Sequence, residues 1–256
     1  MESTPPAAWQ RPHHVAVDDS AFLLYWVFGA FQPGVEIDAR GYRTRGLPTG
    51  VSGQVYLHDS VRGTAPDPLA DPMGALLRAK AEATFDAARA TPHAMLIRGE
   101  LPDQVNLLYL RDIIGFIQSL IDAGGVAVLD VQSMALRDAL QWRESMFAPD
   151  APRALNEVVM LRSKDDHHAG RAWLHTRGLR KFARPDLSIR NVPQDAVFNA
   201  QLVLERAADY LIAGGVFAEG GEVRMSVAPP GLIAHTVGDL DDPDFNNRHT
   251  GFVWPL

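Results

Sequence analysis

Leu120-Ile-Asp-Ala-Gly-Gly-Val126 recurs, one residue shorter, as Leu211-Ile-Ala-Gly-Gly-Val216. Each copy follows an apolar run of helical length, which itself follows a strand-like run and a proline, Pro102 or Pro193. A glycine just past a helix supplies the left-handed residue that ends it and turns the chain. The echo restricts the chain to folds in which two helices each return onto a sheet. Two readings stand. Helix, Gly-Gly, strand is a common chain reversal that needs no deeper relation. The copies also fit two β-α-β halves, with helices on one face of a split sheet. Both give an α+β class, mostly antiparallel, with long helices on one face of the sheet.

The rest of the pattern fits this class. A length of 256 residues suits one large domain or two small ones, and 46% hydrophobic with 21% charged residues is globular rather than disordered. Strands are predicted at 54–58, 93–99, 126–131, 157–162, 171–176, 186–192 and 222–227. Residues 21–28 are too uniformly apolar for their period to separate a strand from a short helix. Helices are predicted at 73–90, capped by Asp71 with Pro72 at the first position, and at 103–123, 134–147 and 194–213. Residues 1–12, polar and proline-rich, read as a flexible tail. Residues 13–256 read as a single α+β domain with a sub-boundary near residue 91. Residues 229–256 read as a second, loop-like tail; its Phe252-Val-Trp254 packs on the chain's own core or on a neighbour.

Composition removes several function classes. With no cysteine there is no disulfide framework, thiolate metal site or cysteine nucleophile. A net charge of −7 argues against a general nucleic-acid binder, which is usually basic overall. The most apolar early run, 21–31, has eleven residues, while a membrane span takes about 20. The N-terminus lacks the basic start and apolar run of a secretory signal, so a cytoplasmic location is expected. Three lysines against 21 arginines, with many Ala, Gly and Pro, suggest a GC-rich bacterial genome. There is no Gly-x-Ser-x-Gly elbow, phosphate loop or dinucleotide fingerprint, and both glycine pairs follow helices rather than precede them. No cofactor is expected.

The densest feature is 171–190. It holds six cations and one anion, Asp186, in a chain that is acidic overall. If 171–176 and 186–192 are neighbouring strands, their connection presents Arg177, Arg180, Lys181 and Arg184 together. Guanidinium forks bind carboxylate or phosphate in a two-pronged way, so these four are the candidate ligand-binding residues. The competing reading is a solvated loop, or one paired to Asp239, Asp241, Asp242 and Asp244. His175 ends one strand and Asp186 begins the next. They are the candidate catalytic pair for proton transfer, or a buried polar pair that pins the hairpin's register.

The pattern His175-Thr-x-Gly178-x-x-x-Phe182-x-x-Pro185-Asp186-x-Ser-Ile189 is similar to the signature of an uncharacterised bacterial domain family, a domain of unknown function. There, a strand ending in His-Thr-x-Gly leads to a Phe-Gly-x-Pro-Glu-(Ile)-Glu segment. Here Ala183 stands for the family's Gly, Asp186 for its first Glu and Ser188 for its second. The last change removes a carboxylate from any paired-carboxylate mechanism. The resemblance implies that the segment is a signature of the fold, and it brings no activity with it.

Asp165-Asp-His-His168 has ligand types suited to a divalent ion. Consecutive strand residues point to opposite faces, however, and no spaced histidine motif supports a site, so no metal is expected. The sequence thus reads as a non-enzymatic cytosolic module that binds a protein partner or a small anionic ligand. The alternative is an enzyme acting on a phosphorylated or carboxylated small molecule. His175 and Asp186 would then move protons while Arg177, Arg180 and Arg184 hold the anion.

Overall fold

The computed structural model describes residues 9–31, 38–57, 67–240, 245 and 247–255. The chain divides into two compact units: Met1–Gln10, Phe22–Leu101 and Asn106–Pro152 form unit 1, and Arg11–Ala21, Pro102–Val105 and Arg153–Leu256 form unit 2. Each unit is built on its own five-stranded sheet. The expected single domain over 13–256 is therefore replaced by two units, and residue 91 falls inside the first. The physical reason is that the two echo helices pack on different sheets.

In unit 1 the strands are β1 (Ser20–Gly29), β2 (Val51–Leu57), β3 (His93–Pro102), β4 (Gly125–Asp130) and β5 (Ala135–Asp138), in the order β2-β3-β1-β4-β5. The ambiguous run at 21–28 is the central strand β1, whose second half, with Tyr25, Trp26, Val27 and Phe28, is fully buried. Aromatic and β-branched residues suit that position. Trp26, Phe28, Ala127 and Leu129 share a core with Leu77 of α1 (Met73–Lys80) and Phe85 of α2 (Glu82–Arg89). The single helix expected at 73–90 is broken at Ala81, and Pro72 occupies its cap without help from Asp71.

The first echo helix, α3, runs only over Leu108–Asp122, because Asp103 is engaged elsewhere, in unit 2. It closes at Gly124, whose φ is +113° and whose N–H bonds the Ile121 carbonyl. The helix expected at 134–147 starts as strand β5. It becomes helical at α4 (Ala139–Trp142), where Asp138 and Gln141 form a reciprocal capping box, and continues as a wider π-turn to Phe147.

In unit 2 a short helix α5 (Ala154–Glu157) precedes β6 (Val159–Lys164) and β7 (Ala172–Arg177). A 3-10 turn, Leu179–Phe182, leads to β8 (Asp186–Val192). The second echo helix, α6 (Val197–Ile212), is followed by β9 (His235–Val237) and β10 (His249–Val253). The sheet order is β6-β7-β8-β10-β9. All its pairs are antiparallel except β8–β10, which is parallel. The strand expected at 222–227 is reduced to one bridge, Glu222 with Ile233, and the expected loop-like tail supplies β9 and β10 instead. Phe252 and Trp254 are buried, so the apolar tail packs on its own unit.

Trp9 and Arg11 are also buried, which corrects the expected flexible tail for the described part of 1–12; residues 1–8 lie outside the described residues. Among the described residues, no helix is long and apolar enough to cross a membrane.

Candidate functional site

Alternation along β7 and β8 sorts their side chains onto two faces of the unit 2 sheet. Leu174, Leu187 and Ile189 form the apolar set, fully buried, and α6 packs on these two strands with Val203, Leu204, Ala207 and Leu211 inward. The other face is of different chemistry. Trp173 Nε1 donates to Ser188 Oγ at 2.8 Å, which fixes these residues on that face together with His175 and Arg177, two and four positions along β7, and Arg190, two along β8.

The rings there form a continuous stack. The Arg190 guanidinium carbon lies 4.1 Å from the Trp173 ring centre, and Trp173 stacks on His175 at 4.2 Å. Phe245 meets His175 edge-on at 5.4 Å and stacks on His249 at 4.1 Å. His175 is 7% exposed, and its Nδ1 has no hydrogen-bond partner. Burial, with the charges of Arg177, Arg190 and His249 beside it, pushes its pKa down to about 4, so the imidazole is neutral at pH 7.

Asp186 does not join His175. Its carboxylate accepts from Thr176 Oγ1 at 3.1 Å, the Leu179 N–H at 3.2 Å and Asn247 Nδ2 at 2.9 Å. Burial raises its pKa to about 6 against those donors. The carboxylate therefore pins the β7–β8 turn, as a buried acceptor with three donors, but through Thr176 rather than the expected His175.

The four cations predicted to converge go to separate places. Arg184 is fully enclosed. It donates to the carbonyls of Gly214 at 2.7 Å, Gly215 at 2.9 Å and Val15 at 2.9 Å, and it pairs with Asp103 at 3.2 Å. It thus ties down the glycine turn that follows α6. Arg11 joins the cluster through Asp103 and the Phe182 and Ile212 carbonyls, and His14 Nε2 lies 3.0 Å from Asp103. Lys181 is buried against Glu157 at 2.8 Å. Arg180, half-buried on the 3-10 turn, is already engaged.

Arg177 alone of the four makes no ion pair or hydrogen bond among the described residues, and its Nε is shut off from solvent. Of the acidic stretch proposed as the loop's partner, Asp241, Asp242 and Asp244 lie outside the described residues.

The Asp165–His168 run is a turn organised by one carboxylate. Asp165 accepts from the Asn191 N–H at 2.7 Å and from the His167 N–H, His168 Nδ1 and Arg190 Nη1, each at 3.0 Å. Burial works to raise its pKa, but these donors outweigh it and hold the group at about 2. Among the described residues, no three histidine or acidic side chains come together as a metal site.

Sequence reading missed Phe245, Asn247 and His249, which lie in the stretch read as a tail. It also missed the Arg11–Asp103–Arg184 cluster, whose members are too far apart in the chain for any spacing rule to join them. No family model, curated protein or solved structure matches the chain.

Proposed function

We propose that the chain is a non-enzymatic binding module, and that the ring-and-cation face of the unit 2 sheet recognises an anionic group on a small ligand or a protein partner. One observation carries this reading. The sheet's helix-covered face is packed with apolar side chains, while its other face presents Trp173, His175, Arg177, Arg190 and His249. Aromatic and arginine side chains are the types most enriched at recognition surfaces. Amide shift mapping of the full chain against citrate and an acidic peptide tests it. Shifts concentrated on β7, β8 and β10 are expected; shifts confined to unit 1 would overturn it.

The enzyme reading keeps one observation in its favour. His175 and Asp186 titrate away from their ordinary values in opposite directions, as acid and base groups of active sites do. Release of nitrophenol from p-nitrophenyl phosphate or acetate, lost in H175Q, would favour it. Membership of the similar bacterial family is likewise a proposal. It is supported by Ala183, which stands where that family has Gly and has a left-handed backbone, φ +53°.

A further inference from the structure

Two polar atoms on this ring-and-cation face are closed to water and bonded to nothing: Arg177 Nε and His175 Nδ1. Leaving a buried donor without a partner costs about 1–3 kcal/mol, and more when it is charged. Each such atom in a native fold calls for a partner or a use. The residues are two apart on β7, hence on the same face, with their Cα atoms about 6.7 Å apart along the strand. Neighbours on one face of a strand can share one oxyanion, with one oxygen on each residue.

Among the described residues, the surrounding charges leave this position open to an anion. On β7 itself the only other charge near His175 is Arg177. On β8, Arg190 is neutralised by Asp165 and Asp166, and Asp186 is occupied by its own three donors. On β10 the nearby group is His249, set opposite Asp186 in register. On β6 the residues opposite Arg177 and His175 are Val159 and Leu161, both apolar. Phe245 caps the imidazoles of His175 and His249.

We propose that Arg177 and His175 form a single oxyanion site, for a carboxylate or phosphate group, under the Phe245 ring. This rests on the recognition face proposed above and names its anchor. Arg177 supplies the fixed charge and the forked donor. His175 supplies the second donor and takes a proton from solvent when the anion arrives, so binding tightens as pH falls. Release of the anion returns the proton.

The test is a histidine-ring NMR titration of the full chain with inorganic phosphate and, separately, acetate, between pH 7 and 4. The expected result is a saturable shift of the His175 ring and a rise in its apparent pKa. At least one of the two anions should do this, and which one identifies the oxyanion. The exposed His235 should show no change that depends on the anion, and R177Q should lose the effect with its amide pattern intact. R177K, which keeps the charge without the fork, should bind at least several-fold more weakly and serves if R177Q does not fold. An unmoved His175, or a full response in R177Q or R177K, overturns the proposal. If other residues of the face respond to citrate in those cases, the recognition face survives and only this anchor fails. If nothing on the face responds, both fail.

Discussion

Arg184 Nη1 lies 3.2 Å from Asp103 Oδ2, with both side chains closed to water. Asp103 also pairs with Arg11, so one carboxylate serves two enclosed guanidinium groups. Burial acts to raise its pKa, but Arg11 and Arg184 outweigh this and hold it below the ordinary carboxylate value. D103A strands both cations and should cost about 3–5 kcal/mol in urea unfolding. A loss below about 1 kcal/mol would show that the carbonyl partners of the arginines suffice.

Lys181 and Glu157 form a second enclosed pair, which behaves differently under double substitution. Glu157→Leu alone leaves a buried ammonium and should cost about 3–5 kcal/mol. Adding Lys181→Met removes the stranded charge and should recover most of that loss. A double-mutant cycle measures the difference, and additive losses would refute the pairing.

Gly178 begins the turn between β7 and β8 with φ +121°, and a Cβ there would sit 2.7 Å from the Glu157 carbonyl oxygen. G178A should therefore lose about 2 kcal/mol or more in thermal or urea unfolding, from backbone strain plus collision. A neutral G178A would mean that the turn has room to shift.

The acid response is set by groups that oppose one another. His175 titrates near 4 in the fold against an ordinary 6.5, so the unfolded chain takes the proton first, and stability is lost as pH falls from 6.5 to 4. Asp186 titrates near 6 against an ordinary 3.8; its contribution is full below 3.8 and is lost as pH rises through 6. Between 4 and 6 the two slopes oppose. H175N should therefore become more stable relative to the parent chain as pH falls from 6.5 to 4, and D186N less stable. Below 3.8 the Asp165 carboxylate, held at about 2, adds a further loss as it is protonated. Denaturation midpoints across this range check the signs, and parallel profiles for H175N and the parent would refute the His175 assignment.

The strand Asp186–Val192 was legible to the residue, because Leu187 and Ile189 alternate with polar Asp186, Ser188 and Arg190 between the two prolines, Pro185 and Pro193. Helix α6 was legible from its stripe and its glycine pair. The basic segment was legible as a charge excess but not as a geometry. Whether a cation meets solvent or a carbonyl depends on what lies across the fold, and the partners of Arg184 come from residues 15, 103, 214 and 215. The helix expected at 134–147 failed at its start because β5, only four residues long, is too short to declare its own period, and at its end because one wider π-turn is too short to separate from an α-helical pattern. The ring-and-cation face escaped because three of its rings, Phe245, His249 and Trp173, are separated by a helix and a long irregular stretch.

The parallel strand β10 sits between β8 and β9, and Arg11 bonds the Ile212 carbonyl across 201 residues of sequence. On the ribosome, Arg11 must wait for α6 to be made before this carbonyl exists. β8 keeps a bare edge until residues 249–253 appear. Unit 1 has all its strands from residue 138 onward, while unit 2 is assembled from pieces made before and after those of unit 1. No single cut separates the two units, so a fragment beginning at Arg153 would carry Arg184 and Lys181 but leave Asp103 and Arg11 behind.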